Sequence, residues 1–370
     1  MPPFAFCGQK LARSKGLNSH VLNENKGLSV GPNLAPIALR LDRRERAMGG
    51  TLMKKTINTV AAMAFGLIGL VTTTAPARAD QFINVLTGGT SGVYYPLGVA
   101  LSKIYGDKIK GARTQVQATK ASVENLNLLQ QGRGEIAFAL GDSVKMAWEG
   151  DPDAGFKAPL NKLRGIAAIY PNYIQIMASR ESGIATLSQL QGKSLSVGAP
   201  KSGTELNARA ILDAAGMTYE QLGKTEYLPF AESVELMKNR QLDATLQSAG
   251  LGVSSFRDLA ASLEVQLVAI PAEIAGKLGA PYIAATVPAG TYEGQDADVA
   301  TVAVGNFLIT HEDVSEDVAY EMTKQLFENL QALAAAHKAA EGIKLETALT
   351  GMPVPLHPGA ERFYKEKGLL

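Results

Sequence analysis

The sequence predicts an α/β protein built as two lobes around a cleft. Short apolar strands alternate with helical periods along most of the chain, the signature of βαβ units. The order of elements repeats once, and both copies open on a similar glycine-containing loop. No third opening follows Val287, so the last part of the chain is expected to complete the first lobe.

In the first series the pattern predicts strands at Phe82–Leu86, Thr114–Ala118 and Ile136–Leu140. Helices are expected at Tyr95–Tyr105, Val123–Gln131 and Ser143–Glu149. A Pro/Gly/Asp-rich loop from Gly150 to Pro159 precedes strands at Leu163–Tyr170 and Tyr173–Ala178. The second series has strands at Ser194–Val197, Glu226–Leu228 and Ala244–Gln247, with helices at Glu205–Ala215 and Val234–Arg240. The return is read as strands at Ile283–Val287 and Ala300–Thr310 and one helix from Ser315 to His337. Lobe 1 is thus expected over 80–172 and 288–370 and lobe 2 over 173–287. Hinge segments are placed near Tyr173–Ala178 and Ile283–Val287.

Residues 53–79 have the three parts of a secretory signal peptide: Lys54 and Lys55, an apolar stretch from Val60 to Val71, and the small-residue site Ala77-Arg78-Ala79. Cleavage after Ala79 is expected, giving a periplasmic protein that starts at Asp80. Residues 1–52 lack any hydrophobic period and are read as a mis-called extension ahead of Met53. Residues 1–79 hold 11 of the 36 Lys and Arg but only 3 of the 35 Asp and Glu, so the remainder has a formal charge of −7. An acidic chain without a long basic run is a poor nucleic-acid partner. The single cysteine, Cys7, lies in the discarded part, which excludes disulfides and thiolate chemistry from the rest.

The loop Thr87-Gly88-Gly89-Thr90-Ser91-Gly92 is the most informative stretch. Its glycines let the backbone approach a ligand, and the helix behind it, with Pro96 in its first turn, points unpaired N–H groups into the same space. Thr90, Ser91, Gly92, Val93, Tyr94 and Tyr95 are the candidate contacts for a carboxylate there. The second loop, Gly198 to Glu205, nearly matches a phosphate loop, but Thr204 stands where lysine should be, so nucleotide hydrolysis is not expected. Its amides and the hydroxyls of Ser202 and Thr204, with Gly203 between them, still suit an anion. Glu205 either meets a ligand amine or complements the helix dipole. Ser122, Asn125, Asp142 and Ser248 complete the candidate set. Two homologous lobes, or two generic βαβ units with common turn chemistry, would each produce the repeated Ser-Gly loops.

Catalytic constellations are absent from the sequence. Beyond residue 79 there is no G-x-S-x-G, the one match, Gly27-Leu28-Ser29-Val30-Gly31, lying in the discarded extension, and His311, His337 and His357 have no ligand spacing to another histidine or cysteine. They are read as surface or capping residues, and no cofactor or metal is expected. Gly250-x-Gly252 lacks the third glycine of a dinucleotide fingerprint.

Thr87-Gly88-Gly89-Thr90-Ser91-Gly92-Val93-Tyr94-Tyr95-Pro96 resembles the signature of the TAXI solute receptors, the immunogenic-protein branch of TRAP transporter binding proteins. Ser202-Gly203-Thr204-Glu205, Val287-Pro288-Ala289-Gly290-Thr291-Tyr292 and His357-Pro358-Gly359-Ala360-Glu361-Arg362-Phe363-Tyr364-Lys365-Glu366 extend the resemblance over the body of the chain. It implies a type II periplasmic-binding-protein fold with a hinge and an interlobe ligand cleft. It also implies a monomer that passes a small anionic metabolite (glutamate, glutamine or a 2-oxoglutarate-like dicarboxylate) to sodium-coupled TRAP-type permease subunits. Lys201 departs from the pattern, which has glycine before Ser-Gly-Thr, and so does Ala249-Gly250-Leu251-Gly252, where a proline-containing turn is expected. A periplasmic sensor subunit, or an enzyme on the same two-lobed fold, is the alternative.

Overall fold

Strand β1 (Gln81–Leu86) opens the described part of the chain, residues 81–370 of a computed structural model. The expected signal peptide, cleavage site and upstream extension lie outside the described residues. From β1 the chain runs through α1 (Tyr94–Lys108), β2 (Ala112–Gln117), α2 (Ser122–Gln130), β3 (Ile136–Leu140) and α3 (Gly141–Glu149). After β4 (Leu163–Ser179) the order repeats with β5 (Ser194–Ser196), α4 (Gly203–Ala214), β6 (Lys224–Glu226), α5 (Phe230–Lys238), β7 (Ala244–Ala249) and α6 (Ser254–Ser262). Next come β8 (Val265–Val268), α7 (Ala272–Leu278), β9 (Tyr282–Val287), β10 (Val299–His311), α8 (Glu316–Glu328), α9 (Leu330–Ala336) and α10 (Pro358–Glu366).

The sheet order is β2-β1-β3-β10-β4-β7-β5-β6. β1 pairs parallel with β2 and β3, and β5 pairs parallel with β6 and β7, so each trio requires helical crossovers. Each trio is flanked by one antiparallel strand: β10 beside β3, and β4 beside β7. The two halves are therefore the same four-strand arrangement, and the element repeat read from the sequence is present in the topology. Central strands covered on both faces need apolar runs. Ile136 to Leu140 and Ala244 to Ala249 are buried at every position.

The halves join where β4 and β10 pair with each other. β4 is a single strand of 17 residues, about 55 Å at the usual rise. Its first part pairs with Phe307–His311 and its last part with β7 and β8. The sequence reading broke it at Pro171; here Pro171 is exposed and sits beside a register shift, where a strand tolerates proline. The second crossing also differs from expectation. Ile283–Val287 is β9, which pairs with β10 residues 299–304, and it is β10 that continues from there into the first lobe beside β3. The expected helix from Ser315 to His337 is two helices, because Asn329 leaves helical geometry at φ −127° and its amide donates back to Gln325 O at 2.8 Å. The sequence reading did not separate α6, β8, α7 and α10.

Three apolar clusters fill the lobes. Two of them interlock across the cleft. Leu206 of α4 packs into the cluster of Leu126, Val144 and Phe156, while Leu140 at the end of β3 packs into the cluster of Leu195 and Ile211. Full burial of one leucine is worth about 1.5–3 kcal/mol, so these two side chains favour lobes in contact.

Candidate functional site

The parallel strands of both halves end at one cavity of about 150 Å³. Ligands of open α/β sheets bind beyond the carboxyl ends of the strands, and all six parallel strands obey that rule here. Gly88, Gly89 and Gly92 to Tyr94 follow β1, Thr119 to Ser122 follow β2, and Leu140 ends β3. From the second half come Ala199, Ser202 and Thr204 after β5, Pro229 and Phe230 after β6, and Ser248 and Ala249 of β7. Asn172 of β4 lies between them.

Five of the bordering residues are helix N-caps: Val93 (α1), Ala121 (α2), Leu140 (α3), Ser202 (α4) and Pro229 (α5). The first N–H groups of each helix have no partner within it, and the aligned peptide dipoles add about half a positive charge per N-terminus. α2 begins after Ala121, held at φ 69°, and α4 begins after Lys201, held at φ 60°. That left-handed backbone explains the glycine expected at position 201. Gly203 is itself required, because a Cβ there would stand 2.7 Å from Leu140 Cδ1 and from Ser122 Oγ.

Of the sequence candidates, Gly92, Val93, Tyr94, Ser122, Ser202, Thr204 and Ser248 line the cavity. Thr90 is exposed, and Tyr95 is half-buried outside the lining. Ser91 also lies outside it, where its carbonyl accepts from Ser254 Oγ at 2.8 Å and so ties the first loop to α6. Asn125 is fully buried and holds the floor together. Its amide donates to Thr87 O and Phe138 O at 2.7 and 2.9 Å, and Thr119 Oγ1 donates to its Oδ1 at 2.6 Å. Glu205 faces away from the cavity, with its carboxylate gripped by Arg209 Nη2 at 2.8 and 2.9 Å and by Tyr219 OH at 3.1 Å. The two roles read for it therefore resolve into an ion pair at the start of α4.

Asp142 does not reach the cavity either. It is 1 % exposed and accepts from Ser143 N at 2.7 Å, Asn207 Nδ2 at 2.6 Å and Tyr282 OH at 2.7 Å, fastening α3 of one lobe to α4 and β9 of the other. Burial pushes its carboxyl above the usual carboxylate range, and the three donors oppose that shift.

Tyr94 stacks on Phe138 at 5.0 Å, and its hydroxyl donates to Asn306 rather than into open space. Asn306 Nδ2 then donates to Asn172 Oδ1 at 2.5 Å, and Asn172 Nδ2 donates to Ser248 O at 2.9 Å. This chain runs from the first lobe through both shared strands into the second. Burial holds the Tyr94 phenol far above its ordinary value, so it stays a neutral donor. Ser248 Oγ is different: its residue is 6 % exposed, and the atom has no hydrogen-bond partner among the described residues. An unpaired buried hydroxyl is unfavourable unless something in the cavity completes it.

Sequence reasoning missed Lys120, the only charged side chain among the described lining residues, and Phe230, which supplies an aromatic wall. Both directly follow parallel strands, so applying the strand-end rule to β2 and β6 would have found them. The histidines fall where capping was expected for two of the three. His337 Nδ1 and His357 Nδ1 accept from Ala339 N and Gly359 N, each at 3.1 Å. His311 is instead buried at the end of β10, where burial lowers its pKa.

An α/β pair of lobes sharing two strands, with one cavity at the strand ends, is the type II periplasmic-binding-protein architecture. Residues 85–368 match the NMT1-like family, and the chain belongs to it. Among solved structures, PhnD1 of Prochlorococcus marinus in complex with methylphosphonate shares the fold at 10% identity and a TM-score of 0.51, over 79% of this chain and 100% of that one. The alkanesulfonate-binding protein SsuA of Xanthomonas axonopodis pv. citri, bound to MOPS, aligns at 12% identity and a TM-score of 0.47 over 80% of this chain and 96% of that one. A putative L-cystine ABC transporter protein of Listeria monocytogenes aligns at 14% identity and 0.46, over 71% and 98%.

Proposed function

We propose that this chain is a periplasmic solute receptor of the TAXI kind, which captures a small carboxylate between its lobes and delivers it to a TRAP-type membrane permease. One observation carries the reading: five helix N-termini, three from one lobe and two from the other, border a single cavity into which Lys120 and the unpartnered Ser248 hydroxyl also contribute. Such a site is built from donors and positive potential, which favours a small anion. Among the described residues the lining has no His, Cys, Asp or Glu to act as general base or nucleophile, which supports binding rather than catalysis. The TAXI-like motifs supply the transporter class, and the signal-like residues 53–79 supply the compartment.

Calorimetric titration with small carboxylates, sugars, cations and methylphosphonate tests it. A carboxylate should bind below about 100 μM, about −5.5 kcal/mol. Binding of sugars or cations with no carboxylate response sinks the anion reading. Methylphosphonate binding in place of every carboxylate would keep the receptor and replace the ligand class.

A further inference from the structure

The polar chemistry of the cavity is one-sided. Lys120 is the only charged side chain among its described lining residues; Glu124, Asp142 and Glu205, each one or two residues from the wall along the chain, are engaged elsewhere, and Glu232, two residues beyond Phe230, is exposed and outside the lining. Glu124 accepts from Lys120 N at 2.7 Å, Asp142 is bound by Asn207 and Tyr282, and Glu205 is bound by Arg209.

Several neutral side-chain acceptors already take one hydrogen bond each. Asn172 Oδ1 takes the Asn306 amide at 2.5 Å, and Thr119 Oγ1 takes Ala121 N at 3.0 Å. Ser122 Oγ takes Leu140 N, and Ser202 Oγ takes Glu205 N, both at 3.1 Å. What remains for a ligand is the Lys120 ammonium, helix N–H groups and the Ser248 hydroxyl, which can donate or accept, with no anionic acceptor, set among the apolar surfaces of Leu140, Pro229 and Phe230.

An ammonium group has three donors and no acceptor, and a buried one needs an anionic partner. Among the described lining residues there is none, and five helix N-termini add positive potential against it. Phe230 could attract a cation through its ring face, but it stands at the N-terminus of α5, whose partial charge opposes that attraction. Repulsive features of this sort discriminate between otherwise similar solutes.

We infer that the solute is a carboxylate without an amine, a keto, hydroxy or saturated acid, and that amino acids are rejected by the lining. This rests on the carboxylate reading above and narrows it.

Matched pairs provide the test: 2-oxoglutarate against L-glutamate, and 4-methyl-2-oxopentanoate against L-leucine, each titrated calorimetrically into the protein from residue 80 onward. In whichever pair binds, the keto acid should bind at least tenfold tighter. An amino acid that binds equally or more tightly overturns this inference and leaves the carboxylate reading in place. Failure of all four, together with other small carboxylates, overturns the carboxylate reading and this inference with it. Lys120→Glu checks the cause, since that side chain is exposed and its replacement should leave the melting temperature unchanged. The variant should lower the keto-to-amino preference at least tenfold; an unchanged preference overturns the claim that the charge of the lining sets it.

Discussion

The two Ser-Gly loops look alike in sequence and meet the cavity in different ways. In the first, α1 starts without a side-chain cap, and Gly88, Gly89 and Gly92 bring backbone to the wall while Thr90 and Ser91 lie outside the lining. In the second, Ser202 caps α4 by accepting from Glu205 N, and both Ser202 and Thr204 line the cavity. A loop rich in glycine contributes amides, and a loop with a capped helix contributes hydroxyls. Counting hydroxyls along the first loop named Thr90 and Ser91, whereas the residues of that loop that line the cavity are its glycines.

The second loop is also anchored from behind, through Asn207 on Asp142. Asp142→Ala strands three donors, at about 1–3 kcal/mol for each that stays buried and unpaired. Urea unfolding should show the largest loss of stability in this set, and a loss under about 1 kcal/mol would remove the clasp from the account.

Gly203→Val comes next. Its side chain would press on Leu140 and Ser122, and overpacking of that kind costs about 1–3 kcal/mol. Because the pressure falls between the lobes, calorimetry should show weakened ligand binding together with a lower melting temperature. Gly89→Ala is the control in the first loop, where a Cβ meets nothing within 4 Å. Equal effects at the two glycines would erase the distinction between the loops.

The pH dependence follows from the raised pKa of Asp142. A carboxyl raised on folding contributes stability that is fully present below its unfolded value, about 3.9, and is lost as pH rises through the folded value. Asp142→Asn does not titrate. The stability of the wild type relative to this variant should therefore fall as pH rises from about 4. A difference that stays flat or grows with pH contradicts the buried, desolvated carboxyl.

Smaller effects separate the serines. Ser202→Ala removes a helix cap worth about 1 kcal/mol and one donor from the lining, so both stability and binding should drop. Ser91→Ala should leave affinity unchanged within error, since the contact that Ser91 makes with α6 is through its carbonyl. A tenfold loss of affinity at Ser91 would restore the hydroxyl reading of the first loop.

Much of this was legible in the residues. Alternating strand and helix periods gave the two series of elements, and the helix starts behind the two Ser-Gly loops pointed to Tyr94 and Ser202, which line the cavity. Long-range pairing was not legible: nothing local distinguishes Ile283–Val287, a strand paired with β10 alone, from Val299–His311, which crosses between lobes. Pro171 read as a break because its tolerance depends on a register shift that only the partner strand creates. Asp142, Asn125 and Glu205 carry the residue types of a binding site, and their actual partners, Tyr282, Thr87 and Arg209, include two that are distant in sequence.

The central claim is that a solute is held between two lobes that must part to admit it. In the structure the lobes already meet, through Leu206, Leu140 and the Asp142 clasp, around a cavity bordered by both. Two-lobed proteins of this architecture open and close by rotation about a few residues in the connecting strands, and a ligand favours the closed form only by touching both lobes at once. Small-angle X-ray scattering with and without the carboxylate that calorimetry identifies reads this directly. The account predicts a smaller radius of gyration with ligand, and no such compaction in Gly203→Val; tight binding to the wild type with an unchanged radius of gyration would contradict it.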